Sequence, residues 1–394
     1  MIFLTYQFSA LCFAFYVAYY AIDSAMVRKF LLIAVSLIFI YLFGGGVSVV
    51  VASVTLLVAF ASARLPIKNF NSIGIAICVA VLLYYKYRHF ILLNISFLLP
   101  RGEILRSWDS AAVPAAIPLG ISFFTFEAIH YLVEVRRGRE AVKSFTDFLC
   151  FGFFWPTMVS GPIKRYPQFI PALRHGLTRP RIDDFTQGFA RVAVGLTKKW
   201  AADNLSGWIA WYEPQYDGSS IELRWVFLAA LSARILLDFS GYSDMAIGFA
   251  RMMGIAVPEN FNWPYLARSP AEFWQRWHIS LSSWIRDYIY IPLGGNRLGP
   301  ARRVANGLAA MTLCGLWHGP DWNFALWGIY HGVGLAATYR LGSRLAASGP
   351  SWLNGAVAGG LAWIATTLFV CLGWLLFFYP PDRALEMAIG LFSR

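Results

Sequence analysis

Residues 313–332 read LCGLWHGPDWNFALWGIYHG. Apolar residues flank a short centre that carries His318, Gly319, Pro320, Asp321 and Asn323. Glycine has no side chain to hold a helix and proline has no N–H to continue one, so the pair breaks the helix. Broken backbone at membrane depth is tolerated only where protein or a water-filled cavity covers it. The stretch therefore predicts two apolar helices meeting at a covered break. A titratable side chain at such a place marks function. The plainer reading is a loop whose histidine only satisfies backbone groups.

The rest of the chain supplies the apolar context. It has 394 residues, 58% hydrophobic and only 14% charged, where soluble domains carry about 25% charged. Apolar blocks at 3–22, 30–43 with 47–63, 70–85, 111–133, 145–160, 225–237, 303–317, 323–339 and 355–379 are the expected spans. At about 20 residues each, they predict about nine to eleven crossings. No ten-residue alternating strands occur, which excludes a membrane barrel. The expected fold is all-α and polytopic, one domain over 1–394 with its catalytic core at about 115–340.

Net charge is +12, from 33 basic and 21 acidic residues. In a soluble protein this would suggest nucleic acid. Here the basic residues sit in short loops beside apolar blocks, so topology and anionic headgroups account for them and no nucleic acid is expected. Arg28, Lys29, Arg64 and Lys68 place those loops in the cytoplasm and the N-terminus outside, with Gly44-Gly45-Gly46 dividing the run between them. The 164–183 loop is the most basic and reads as cytoplasmic. Lys86, Arg88 and His89 fit no simple count, and snorkelling explains them. The first block lacks a basic n-region and reads as a retained helix, not a cleaved signal. The five cysteines are scattered in apolar surroundings, so no disulfide framework is expected.

Several stretches carry chemistry. Glu127, His130, Tyr131 and Glu134 share one helix face, so Glu127 either faces a cavity or pairs with a basic group. Residues 184–212 read as an interfacial amphipathic helix. Asp238, Ser240, Tyr242, Ser243 and Asp244 crowd an otherwise apolar segment and imply a wet or hydrogen-bonded interior. Residues 271–297, AEFWQRWHISLSSWIRDYIYIPLGGNR, follow Pro270, which can open a helix. Trp274, Trp277, His278, Leu281 and Trp284 read as one helical face. Arg286 and Asp287 lie further along. The segment is too charged to span lipid and should lie at an interface or line a cavity. For His278 the competing reading is a solvated neighbour of an aromatic belt. His331 and His130 read as packed, His89 and His175 as solvated. No pair of histidines has metal-site spacing, and no metal is expected.

On these stretches, together with PLGISFFTFEAIHY, FWPTMVSGPIKRYPQF, DFSGYSDMAIGFARMMGI and PENFNWPY, the sequence resembles the membrane-bound O-acyltransferase family. The YIPLGGNR ending is similar to bacterial polysaccharide O-acetyltransferases of the alginate-acetylating kind, with teichoic acid D-alanyltransferases as the neighbouring subgroup. The resemblance implies that His318 matches the family's essential histidine and His278 the histidine of its RWH motif. It implies a helical ring around a tunnel in a bacterial inner membrane. It also implies an acyl thioester donor, acetyl-CoA or an acyl carrier, and no bound cofactor. The acceptor would be a hydroxyl of an extracytoplasmic polysaccharide or of a partner acyltransferase. Trp277, Asn323, Arg286, Asp287, Asp238, Tyr242 and Glu127 are the expected donor-binding or tunnel-lining residues. A histidine base suits acyl transfer to an alcohol. Cys314, one turn before His318, leaves an acyl-cysteine route open, which its apolar surroundings disfavour. A transporter would explain the same polar breaks but should carry an inverted repeat, and none is visible. A non-catalytic scaffold would tolerate loss of the histidines.

Overall fold

The computed structural model describes residues 2–65, 70–95, 117–348 and 356–393. Lys68, the start of the 111–133 block and residue 355 lie outside them. Every regular element among the described residues is helical. Among the described residues, three helices are both long and apolar enough to cross a membrane: Ala25–Arg64, Phe70–Ile95 and Val357–Phe378. The chain divides into two units, 1–193 with 244–258 and 194–243 with 259–394.

In the first unit the glycine triplet acts as expected. Ala25–Arg64 runs as 40 residues with a kink at Gly45, whose φ of 72° is open to glycine without strain. At 1.5 Å per residue each half is about 30 Å long, the thickness of a bilayer core. The helix starts at Ser24, whose side chain accepts from Val27 N. Arg28 is buried, and its guanidinium donates to Tyr19 O at 2.9 Å and Leu177 O at 2.8 Å. Phe3, Phe8, Phe39, Trp155 and Phe249 pack around this helix at tilted to edge-on angles, with centroids 5.2–6.5 Å apart.

The 145–160 block corrects an expectation, because it is not a span. It forms an eight-residue helix, Phe145–Gly152, and a short turn at Trp155–Thr157 that carries Pro156. Phe148, Phe151, Phe153, Phe154 and Trp155 are buried in protein, so the apolarity of the block serves this unit's core. Lys86 lies in a π-helical turn, Leu83–Tyr87, and donates to Ser122 Oγ at 3.2 Å. Residues 184–212 belong to one helix, Ile182–Tyr212.

In the second unit, Gly299–His318 and Trp322–Ser348 form a tight helical hairpin. Gly315 and Gly328 let the backbones touch: a Cβ at 315 would meet Phe324 O and Gly328 N, and one at 328 would meet Met311 O. The hairpin turn is the 319–321 segment, so His318 sits at the last residue of a helix fixed by a close-packed partner.

Candidate active site

Pro270 opens its helix as the sequence predicts. Ser269 is the N-cap and accepts from Glu272 N at 3.1 Å, while Glu272 accepts from Arg268 N at 2.8 Å. The continuous helical face expected through 284 does not form. The helix Pro270–Arg276 ends at Trp277, and a second starts after His278, as Ile279–Ile285. His278 lies between them in the left-handed region, φ 42° and ψ 53°. A left-handed residue other than glycine stores strain, which folds retain mainly where the surroundings over-determine it. The surroundings here are the 260–262 loop. Asn260 O accepts from Ile279 N at 3.0 Å, and Asn262 N donates to Arg276 O at 2.9 Å, so the backbone groups freed by the break are met.

The break delivers His278 into an aromatic cage. Its ring lies 4.6 Å from Phe239 and 5.8 Å from Trp317, and Trp317 lies 5.0 Å from His318. His318 in turn meets Trp327 at 5.3 Å and Phe377 at 5.1 Å. Trp277 stacks on Phe273 and packs against Phe261 and Trp374. The two histidines, 40 residues apart in sequence, thus belong to one cage. Burial first, and the neighbouring His318 second, push the His278 imidazole well below its ordinary value, so it is neutral near pH 7.

Buried polar groups normally find partners. In this cage several find none among the described residues: His278 Nε2, Asn323 Oδ1, Trp327 Nε1 and His331 Nε2. His331 itself is packed, as expected, and accepts from Trp274 Nε1 at 3.3 Å. Asn323 donates to Phe377 O at 3.2 Å. A cavity of about 320 Å³ lies in the same unit, with Arg286, Tyr290, Asn296 and Arg303 at polar positions and Trp274, Met311 and Cys314 among its apolar ones.

The other expected residues are placed differently. Asp238 is half-exposed and pairs with Lys199 at 2.7 Å, although its neighbour Phe239 faces His278. Arg286 pairs with Asp287 at 2.7 Å. Tyr242 is buried in the second unit. Glu127 belongs to the first unit, where Lys164 Nζ lies 2.6 and 2.8 Å from its two carboxylate oxygens. Pairing, not a cavity, is the reading the geometry selects for it. Sequence reading missed Asn260, whose side chain meets His278, Ser280 and Ser243. The only signal was one amide in PENFNWPY, 18 residues from its partner and without periodicity.

The MBOAT, membrane-bound O-acyltransferase family, matches residues 134–372. The chain belongs to this family. It is similar to the "Probable alginate O-acetylase AlgI" of Pseudomonas aeruginosa, 37% identical over 77% of this chain and 56% of that protein. The "Peptidoglycan O-acetyltransferase" of Helicobacter pylori is 29% identical over 77% and 61%. The "Teichoic acid D-alanyltransferase" of Streptococcus thermophilus is 33% identical over 55% of each. The chain spans 51% to 62% of the length of the alginate-type relatives it matches.

Proposed function

We propose that this MBOAT chain catalyses O-acyl transfer, moving an acetyl group from a thioester donor to a hydroxyl of an extracytoplasmic polysaccharide or partner protein. The observation that carries the reading is the cage itself: two imidazoles at helix breaks, surrounded by buried polar atoms that lack partners. Such a site is organised for a ligand that is itself polar at its reacting centre. The alginate-type relatives support acetyl as the group and polysaccharide as the acceptor; D-alanyl transfer, supported by the teichoic acid relative, is the alternative.

In this reading His318 is the general base that takes the hydroxyl proton as the new C–O bond forms. The thioester C–S bond then breaks, and the proton passes to the leaving thiolate, which departs as the free thiol. The Trp327 indole N–H, fully buried and unpartnered, is placed to stabilise the carbonyl oxygen as charge develops there. The cavity with Arg286 and Arg303 suits the anionic carrier arm of an acetyl-CoA or acyl-carrier donor. Glu127 is assigned the structural task of closing Lys164. We place the chain in the bacterial inner membrane, N-terminus outside, as a single polytopic domain whose tunnel joins donor and acceptor sides. No bound cofactor or metal takes part.

The test is transfer of label from acetyl-CoA to extracellular product in membranes matched for folded protein. His318→Ala is expected to lose transfer by about 10²–10⁴-fold, the leverage of a general base. Unchanged transfer in both His318→Ala and His278→Ala would sink the enzymatic reading and favour a scaffold.

A further inference from the structure

We infer that Asn260 is a positioning residue that locks His278 as the tautomer protonated on Nδ1, so that His278 meets its ligand as a hydrogen-bond acceptor through Nε2. The chemical consequence rests on the acyl-transfer reading; the lock itself does not.

Asn260 is fully buried. Its Nδ2 donates to Ser243 Oγ at 3.1 Å. Its Oδ1 faces three groups: Ser280 N at 3.2 Å, Ser280 Oγ at 2.8 Å and His278 Nδ1 at 3.1 Å. A backbone N–H can only donate, so the atom facing Ser280 N has to be the oxygen. Turning the amide round would set its NH2 against that N–H. The oxygen can only accept, so His278 Nδ1 carries the hydrogen. A neutral imidazole has one N–H, and the lone pair then lies on Nε2. That atom is buried and has no partner among the described residues.

The same residue holds the strained backbone. Asn260 O takes the N–H of Ile279, directly after the left-handed His278, while its side chain holds the ring. Backbone and tautomer are therefore set by one amino acid, the arrangement in which a third group orients a catalytic base.

The lock decides what His278 can do. With its only N–H spent on Asn260, neutral His278 has no hydrogen to give to an oxyanion. It can take a hydrogen bond from the acceptor's hydroxyl side of the reaction, and the donors for the oxyanion have to come from elsewhere. Among the described residues on the elements packed around it, Arg276 is paired with Glu272 and Asp238 with Lys199, and His318 is the titratable group whose charge reaches the ring.

Two measurements test this. The first is nitrogen NMR of purified protein labelled in histidine, with the His278 signal identified by its loss in His278→Ala. A protonated Nδ1 and bare Nε2 are expected in the wild type, and loss of that pattern in Asn260→Ala. A protonated Nε2 in the wild type overturns the lock, whatever the activity. The second is transfer against pH. Asn260→Asp still accepts from Nδ1 and makes the ring more basic, so the acid limb of kcat/KM should move to higher pH. Asn260→Ala should lower kcat by about 10²-fold with little change in KM, and should add nothing to His278→Ala. Equal losses in both backgrounds overturn the positioning role. A correct tautomer in a protein without transfer leaves the lock standing and removes the acyl-transfer reading instead.

Discussion

Two of the centres at which the molecule buries polar groups treat them in opposite ways. The Glu127–Lys164 pair is closed on itself. The ammonium reaches both carboxylate oxygens, and the rings of Phe151, Phe154 and Phe169 lie 5.2–5.7 Å from it. Around His278 and His318 the walls are also aromatic, yet four polar atoms have no partner among the described residues. A closed centre is worth stability or specificity to the fold. An open one costs stability and is kept for what binds there. Charge and burial alone therefore do not mark a site; what distinguishes the two is that Glu127 and Lys164 meet each other, whereas among the described residues nothing meets His278 Nε2 or His331 Nε2.

The largest test of that contrast is at the closed centre. Lys164→Met leaves a buried carboxylate with no counter-ion, and a loss of about 3–5 kcal/mol is expected, read as a fall in the unfolding midpoint in detergent. Glu127→Leu combined with Lys164→Met should recover most of it. Transfer per folded molecule should stay at the wild-type level. A stable Lys164→Met protein that has lost transfer would return Glu127 to the reaction.

A smaller effect is expected at the open centre, and in the other observable. Trp327→Phe keeps a ring beside His318 and removes the unpartnered N–H. Transfer should fall on the order of 10²-fold, mainly in kcat, with the unfolding midpoint nearly unchanged. Full activity would remove Trp327 as an oxyanion donor.

The smallest effect concerns a partly wet ion pair in the first unit. Asp147 faces Lys29 at 2.5 Å and Arg174 at 2.8 Å. Burial would raise its carboxyl, but the two cations outweigh this and hold it below the ordinary 3.8. The stabilisation is therefore complete above that pH and is lost as the pH falls through the lowered value. Asp147→Asn should cost about 1 kcal/mol at neutral pH and flatten the stability profile below pH 3.8. An unaltered acid limb would show that the pair does not contribute.

The sequence made legible what depends on neighbours along the chain. The His318 break follows from an adjacent Gly-Pro, the start at Pro270 from its own ring, and the Gly45 kink from a glycine triplet. What it hid depends on groups far apart. The spacing of Trp274, Trp277, Leu281 and Trp284 satisfies a continuous helix, and only the 260–262 loop shows why the helix stops at Trp277. Lys164 lies 37 residues from Glu127, beyond any helical period. The 145–160 block is apolar enough for lipid, yet protein covers it, and hydropathy does not separate those two environments.

The glycine seam between the two hairpin helices bears on how this protein can change over generations. At 315 and 328 the facing partners are backbone atoms and another glycine, so no neighbour can shrink to admit a larger residue. Paired exchange, the usual way a core drifts, is closed along that line. New acceptor preferences would have to be acquired on the cavity walls, while the hairpin that carries His318 is inherited nearly unaltered.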